Sequence, residues 1–240
     1  MLIFRLTKVC CIFVNFYFPA ENSRSLQTQL SLTQQRCASY PKKTEMTLIH
    51  RTWLELKPNE NIDGNQEYFS EYYNRICETK FELGEFPKEV YEQWIHPHHK
   101  NHKTLKNYSW INFDFIEFEL VSWGFEALNK LYVIEQFQSY VNQRASFNNI
   151  EDFCCTDEDI DYWKTNGTWK IPPIILDINS LNVELPSWSE LKKPFQLVEG
   201  HSRLGYLKSM RNIEFSGEFK LAEKHKIYLM KKSTKAQHRV

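Results

Sequence analysis

The sequence has little of the glycine, proline and unbalanced charge that mark fibrous, disordered or strongly charged proteins. Its 240 residues include only 7 Gly and 9 Pro, so most of the chain is expected in regular elements. The 30 basic and 30 acidic residues leave no net charge that would draw the whole protein to nucleic acid or to a membrane. A hydrophobic content of 42% then predicts a globular protein with a sizeable core.

The cysteines are few and poorly spaced for metal binding or cross-linking. No C-x-x-C pair occurs among the six cysteines, which are Cys10, Cys11, Cys37, Cys77, Cys154 and Cys155. This pattern disfavours both a structural zinc site and a disulfide framework. A reducing, cytoplasmic environment is therefore expected.

The sequence also lacks an apolar run long enough to cross a bilayer, so no membrane partner is expected. The run from Val9 to Phe18 follows two basic residues, as the core of a signal peptide does, but it is short and no small-x-small cleavage site follows it. We expect residues 1–45 to be a poorly structured or dispensable extension. An export signal and an ordered strand or helix stay open as alternatives for this segment.

Residues 46–150 are predicted to be mainly helical. Apolar side chains recur at three- and four-residue spacing in Gln66–Phe81, Val90–Ile95 and Phe125–Val141, which is typical of amphipathic helices. Trp110–Val121 differs, because its apolar residues alternate in one phase and then in the opposite phase. A bulged strand and a buried helix both explain that segment.

The last third of the sequence has the patterns of strands. Ile171–Ile178 is a continuous apolar run, as expected of a strand buried on both faces, and Phe195–Val198 predicts the next strand. Ser187–Glu190 has the spacing of a capping box and predicts a short helical turn between them. A helix is predicted from near Ser202, and His225–Met230 predicts a closing strand. The whole pattern indicates an α/β (α+β) protein with a mixed sheet and helices.

The segment Glu199-Gly200-His201-Ser202-Arg203 joins a predicted strand directly to a predicted helix. Helix N-termini present unpaired N–H groups to anions, and a glycine allows a phosphate to approach the backbone. The predicted phosphate-binding or nucleotide-binding residues are Gly200, His201, Ser202 and Arg203. Arg203 in the first helical turn opposes the helix dipole, which favours an anionic ligand there. Glu199 and His201 are the candidate catalytic residues, and Glu199 is also the candidate metal ligand.

The same turn also has a purely structural explanation. Gly200 would relieve a tight bend, and Ser202 would cap the helix. Arg203 would then be solvated. The sequence leaves both explanations open.

Three segments in order carry a resemblance to a known family: Pro-Pro-Ile-Ile-Leu, then Phe-Gln-Leu-Val-Glu-Gly-His-Ser-Arg-Leu-Gly-Tyr-Leu, then Lys-Ile-Tyr-Leu. This order resembles the ParB/sulfiredoxin superfamily, in which a Gly-Glu-Arg-Arg or Asp-Gly-His-His-Arg motif lies between a strand and a helix. Gly200 and Arg203 match the most characteristic motif positions, and Glu199 and His201 match the acidic residue and first histidine of the second variant. The resemblance implies a ParB/sulfiredoxin-like domain over residues 151–232, followed by a basic tail over 233–240.

The resemblance implies a protein that binds nucleotide phosphates, with CTP or ATP and Mg²⁺ as the ligands. Nucleotide hydrolysis, phosphoryl transfer and a nuclease-like role in association with DNA are the activities found in the family. Sulfiredoxins carry a cysteine directly after the motif glycine, and because this chain has His201 there, sulfinic acid reduction is not expected. The alternative is a non-catalytic interaction module on a ParB-like scaffold, with the helical region recruiting a protein partner.

A histidine-rich segment lies within the predicted helical region. His96, His98, His99 and His102 are interrupted by a proline and interleaved with lysines. This arrangement places the imidazoles on no regular face, so a solvated basic loop is predicted rather than a metal site.

Overall fold

The computed structural model describes residues 48–79, 86–217 and 219–234. Residues 1–45, which the sequence predicts to be a dispensable extension, lie outside the described residues, as does the basic tail from residue 235 onward. The described residues belong to one compact unit.

The fold is mixed α+β, as predicted, and is built around one four-stranded sheet. Its strands are β1 (Ile116–Trp123), β2 (Ile174–Asp177), β3 (Phe195–Glu199) and β4 (His225–Lys232). The spatial order is β1-β4-β2-β3, in which β4 and β2 are parallel and the two outer pairs are antiparallel. Strand β1 comes from the region predicted to be mainly helical, so the sheet draws on both predicted regions.

Helices cover both faces of the sheet. The helices are α1 (Arg51–Glu55), α2 (Phe69–Thr79), α3 (Lys88–Val90), α4 (His96–His98), α5 (His102–Tyr108), α6 (Phe125–Asn129), α7 (Glu135–Ala145), α8 (Asp157–Asn166), α9 (Ile178–Leu181) and α10 (His201–Glu214). A π-helical turn, Tyr91–Ile95, joins α3 to α4, and 3-10 turns occupy Phe113–Phe115 and Ile150–Asp152. The amphipathic spacing in the first half of the chain therefore predicted real helices.

The sheet separates two hydrophobic cores. Ile174 and Leu176 of β2 belong to the core formed with α1, α2 and α5, whereas Ile175 belongs to the core formed with α6, α8 and α10. Successive side chains of a strand point to opposite faces, so a strand with a core on each side must be apolar at every position. This arrangement confirms the prediction of a strand buried on both faces.

The ambiguous segment before β1 is a 3-10 turn followed by a strand. The Asn112 side chain accepts a hydrogen bond from the Asp114 amide and caps the turn Phe113–Phe115, after which β1 begins at Ile116. The turn changes the phase of the apolar pattern, which explains the reversed alternation in the sequence. Of the two predicted alternatives, a strand is the one that forms, but it pairs with β4 in one continuous register and contains no bulge.

The single helical stretch predicted over Phe125–Val141 is wrong in one respect, because it is two helices. Between α6 and α7 the backbone of Tyr132 pairs with β3, donating to the Phe195 carbonyl (N···O 3.0 Å) and accepting from the Leu197 amide (2.8 Å). A residue whose backbone pairs with a sheet edge cannot also make helical hydrogen bonds. The edge of β3 therefore ends α6 and delays α7 until Glu135.

The capping box predicted at Ser187–Glu190 does not form. One hydrogen-bonded turn lies there, with the Ser189 amide donating to the Pro186 carbonyl oxygen at 2.9 Å, but no helix follows it; a short helix, α9, directly follows β2. The Glu190 carboxylate accepts from Lys103 and Lys106 of α5, at 2.9 and 2.6 Å, instead of folding back as a capping box requires. Local spacing is overridden here by a contact between distant segments.

Helix α10 crosses α7 closely at Gly205. A Cβ atom at this position would lie 2.4 Å from Cβ of Arg144 and 2.8 Å from the carbonyl oxygen of Val141. The missing side chain lets the two backbones approach, and so brings the polar face of α7 beside the first turns of α10.

No helix among the described residues is long and apolar enough to span a membrane.

Candidate functional site

The β3–α10 turn has the predicted arrangement. Strand β3 ends at Glu199, Gly200 occupies the N-cap position with φ 103°, and α10 begins at His201. Strands β2 and β3 lie side by side in one sheet, antiparallel. The left-handed backbone at Gly200 turns the chain sharply, so that the strand leads directly into the helix.

The first turn of α10 presents free amide groups. The first helical hydrogen bond runs from the Leu204 amide to the Gly200 carbonyl oxygen, at 2.9 Å. No side chain caps the helix, and in the described part of the chain the amides of His201, Ser202 and Arg203 have no acceptor. Unpaired amides and the helix dipole together make this end attractive to an anion.

His201 lies buried directly beside these amides. Its residue is 9% exposed, its ring centroid is 4.5 Å from that of Phe137, and its Nε2 atom has no hydrogen-bond partner among the described residues. Burial lowers the pKa of His201 to about 4. The imidazole is therefore neutral at physiological pH and is a poor proton acceptor, which argues against the catalytic role predicted for it.

Ser202 does not cap its helix. Its hydroxyl lies 2.7 Å from the hydroxyl of Tyr140, which projects from α7. This contact brings an exposed tyrosine to the edge of the turn. No sequence signal pointed to Tyr140, because Tyr140 and Ser202 are far apart in the chain and meet only through the α7–α10 packing.

The Arg203 guanidinium is hydrogen-bonded to other groups of the protein and does not face solvent freely. Its Nη1 donates to the Ile171 carbonyl oxygen at 3.0 Å, and its Nη2 donates to Gln93 Oε1 at 2.6 Å. The Glu199 carboxylate is 3.7 Å from Nη2, and the arginine side chain is only 18% exposed. Burial lowers the pKa of the guanidinium, although not enough to discharge an arginine. Arg203 therefore positions the turn, and two of its donor groups are already engaged by the protein.

Gln93 connects three parts of the site. It lies in the π-helical turn, accepts from Arg203 through Oε1, and donates to the Pro172 carbonyl oxygen through Nε2 at 3.1 Å. Irregular π-helical turns are often found at functional sites. The glutamine fixes the segment that precedes β2 against the β3–α10 turn.

Glu199 lies between two cationic or titratable groups. Besides Arg203, its partner is His98 of α4, whose Nε2 is 3.8 Å from Glu199 Oε2. The prediction of a solvated loop around His98 is wrong, because the segment is helical and His99 is buried, stacked on Trp53 at 4.7 Å with its Nε2 2.7 Å from the Trp53 carbonyl oxygen. His98 is thus a site residue that sequence analysis missed.

Few side chains around Glu199 could hold a metal ion. No group of three or more His, Cys, Asp or Glu side chains placed to hold a metal ion occurs in residues 48–79, 86–217 and 219–234. Glu199 and His98 offer two ligands, and His201 is buried against Phe137. The Mg²⁺ contact expected at Glu199 stays a prediction, because Mg²⁺ can be held by one or two carboxylates together with water and substrate phosphates.

The buried histidines predict a loss of stability in mildly acidic solution. Burial lowers the pKa of His201 and of His225 to about 4, against about 6.5 for an exposed histidine. Well above pH 6.5 neither state binds these protons, so the full stability is present. As the pH falls from 6.5 to 4, the unfolded state binds protons that the folded state excludes. The free energy of unfolding then decreases by up to about 1.4 kcal/mol per pH unit for each histidine.

Urea unfolding between pH 7 and pH 5 measures this slope before most carboxylates titrate. His225 is fully buried, with Nδ1 2.9 Å from the Thr168 hydroxyl, and His225→Gln should remove its share of the slope. His102→Gln removes an exposed histidine and should keep the wild-type slope. Equal stability of the wild type at both pH values would contradict the exclusion of protons from these sites.

Comparisons with family models, with curated proteins and with solved structures find no match to this chain. The resemblance to the ParB/sulfiredoxin superfamily therefore stays a prediction. It rests on the motif and on the strand, turn and helix around it. The function has to be argued from the residues of the site.

Proposed function

We propose that the β3–α10 turn binds a phosphate group of a nucleotide, with the amides of His201, Ser202 and Arg203 as the principal donors. One observation carries the proposal: three amides without acceptors lie beside a buried His201 whose Nε2 also lacks a partner in the described chain. Buried polar groups are nearly always hydrogen-bonded in folded proteins. A bound phosphate, with several acceptor oxygens, would satisfy the three amides together.

The charges around the turn permit an anion to bind. The Glu199 carboxylate would repel a phosphate if it were isolated, but Arg203 lies 3.7 Å from it and His98 lies 3.8 Å from it. The guanidinium offsets the carboxylate charge, and His98 adds a positive charge when it is protonated. The partial positive charge of the α10 N-terminus then dominates at the free amides.

The same residues fit hydrolysis or phosphoryl transfer. Glu199 is the group placed to accept a proton beside the bound phosphate. His98 Nε2 lies 3.8 Å from that carboxylate, close enough to hydrogen-bond to it through a bridging water or after a small side-chain movement. In this proposal His201 contributes its backbone amide, and its neutral imidazole stays buried. Arg203 keeps the turn in shape and does not provide the main charge for the ligand.

One observation favours a second candidate, a non-catalytic scaffold. Arg203 is hydrogen-bonded to Ile171 and Gln93, as a structural residue would be. In that case the turn serves only to connect β3 to α10, and the helical layer is the surface for a protein partner. This candidate predicts that no nucleotide stabilises the protein.

A thermal-shift screen separates the two candidates. CTP, ATP, GTP and ADP are each added with and without Mg²⁺, because a ligand that binds only the folded state must raise the melting temperature. Phosphate binding predicts stabilisation by at least one nucleotide, by about 2.7 kcal/mol at a ligand concentration 100 times Kd. An unchanged melting temperature with every nucleotide would favour the scaffold.

Ser202→Asp and Ser202→Asn form a matched test of the anion site. Both variants lose the Ser202 hydroxyl and have similar size, so they differ chiefly in charge. Aspartate in the first turn should make the unliganded protein more stable than the asparagine variant by about 0.3–1 kcal/mol. It should also weaken phosphate binding by about 10- to 100-fold, because the new carboxylate occupies the amides and repels the ligand.

Isothermal titration with the nucleotide found in the screen measures the affinities, and urea unfolding measures the stabilities. Opposite effects on stability and binding cannot result from general damage to the fold. If the aspartate variant binds as tightly as the asparagine variant, the ligand does not lie on these amides.

A further inference from the structure

Arg144 is a cation beside the proposed phosphate site that the motif does not include. It projects from α7, next to the point where α10 crosses at Gly205. Its guanidinium donates to the side-chain carbonyl oxygen of Gln143, and its Cζ lies 3.8 Å from the centre of the Tyr140 ring. Among the residues described, Arg144 has no carboxylate partner, and its buried Nε has no hydrogen-bond acceptor. An arginine whose charge no carboxylate offsets can bind an anionic ligand through its Nη groups.

The tyrosine links Arg144 to the free amides. The guanidinium stacks on the Tyr140 ring, and the Tyr140 hydroxyl is 2.7 Å from the Ser202 hydroxyl. Tyr140 therefore contacts both the Arg144 guanidinium and the Ser202 side chain in the first turn of α10. Such stacking also holds an arginine in a fixed orientation, so that less side-chain freedom is lost when an anion binds.

Arg203 cannot take this role. Its Nη1 and Nη2 already donate to Ile171 and Gln93, and its charge is offset by Glu199. Arg144 donates through Nη1 to the Gln143 side chain, but among the described residues no carboxylate offsets its charge. The available cation of the site is therefore on α7, outside the sequence motif.

We infer that Arg144 binds a second phosphate of the ligand, so that the site takes a diphosphate or longer chain in preference to a single phosphate. This inference rests on the proposed function. A phosphate seated on the amides of α10 leaves Arg144 unengaged across the Tyr140 side chain, whereas a linked second phosphate reaches the guanidinium. Planar guanidinium groups suit phosphate oxygens, because they donate two parallel hydrogen bonds.

Titration calorimetry of the full chain with orthophosphate and with pyrophosphate tests the inference. The wild type should bind pyrophosphate about 10- to 100-fold more tightly, the gain expected from an added charge-assisted contact. Arg144→Gln should bring the ratio of the two affinities close to one. Arg211→Gln, which removes an arginine paired with Glu214 near the other end of α10, should keep the wild-type ratio.

The outcomes distinguish the proposed phosphate binding from the role of Arg144. Binding of neither anion to the wild type overturns the proposed function and this inference with it. Equal binding of both anions, or a preference for pyrophosphate that survives Arg144→Gln, overturns the inference alone.

A second measurement needs no variant, in case Arg144→Gln does not fold. Phenylglyoxal modifies accessible arginines, and peptide mass spectrometry measures the rate at each position. Pyrophosphate should slow the modification of Arg144 more than orthophosphate does, while the rate at Arg211 stays unchanged. Equal rates at Arg144 with and without pyrophosphate would overturn the inference.

Discussion

Arg203→Gln is expected to lower the free energy of unfolding by about 2–4 kcal/mol. The guanidinium connects three segments, because it donates to the Ile171 carbonyl oxygen and to Gln93 and lies 3.7 Å from Glu199. Its removal leaves a carbonyl oxygen and an amide oxygen without their donor, and leaves the partly buried Glu199 without its nearest positive charge. Breaking a buried pair on one side costs more than the pair contributes, since the remaining charge is not compensated.

Arg211→Gln is the matched control on the same helix. Arg211 pairs with Glu214, but its side chain is 39% exposed, so the loss should be about 0–1 kcal/mol. Urea unfolding monitored by circular dichroism measures both variants. If Arg203→Gln is as stable as the wild type, the contacts with Ile171 and Gln93 contribute nothing, and Arg203 returns to the role of a ligand-binding residue that the motif suggests.

Gly200→Ala is expected to destabilise the protein by about 2–5 kcal/mol. Gly200 has φ 103°, a conformation that side chains rarely adopt, and a Cβ atom there would lie 2.5 Å from Cβ of Pro173. The same atom would lie 3.2 Å from Nε and Nη2 of Arg203, whose side chain folds back over the glycine. The variant therefore combines backbone strain with displacement of the Arg203 contacts.

Gly64→Ala isolates the cost of the backbone conformation. Gly64 has φ 78°, and nothing lies within 4 Å of the position of its Cβ atom, so only about 1–2 kcal/mol should be lost. The difference in unfolding free energy between the two variants measures the close approach at Gly200. Equal losses would contradict the tight packing of the turn against Pro173.

The sequence predicted those parts of the fold that depend on local patterns. The continuous apolar run became β2, because both of its faces meet a hydrophobic core. Gly200 and the change from strand to helix periodicity placed the turn and the start of α10 correctly. The sequence pattern predicted the wrong structure where a distant segment decides the local conformation. One case is Tyr132, whose backbone pairs with β3 and so divides the predicted helix into α6 and α7.

The site was predicted only in part, for the same reason. Gly200, Ser202 and Glu199 were found because they follow one another in a recognisable turn. His98, Gln93 and Tyr140 come from other helices, and no local signal shows that they will lie beside residues of the turn. Contacts between segments far apart in sequence arise from packing, which a single sequence does not encode in any short pattern.

The role of Arg203 shows the limit of reasoning from a helix position alone. A cation in the first turn opposes the helix dipole, and this suggested an anionic ligand. The structure offers different compensation, because Glu199 and two hydrogen-bond acceptors surround the guanidinium. The unfavourable interaction with the dipole is offset by these contacts, so the position of the arginine does not by itself require a ligand.

An amide proton–nitrogen correlation spectrum recorded during titration with pyrophosphate tests the central claim most directly. The resonances of His201, Ser202 and Arg203 report on the amides that have no acceptor in the described structure. Binding at the N-terminus of α10 predicts that these resonances shift most and that they move together with one affinity. Pyrophosphate that leaves these three resonances in place, whether it shifts others or none, would contradict phosphate binding at this turn.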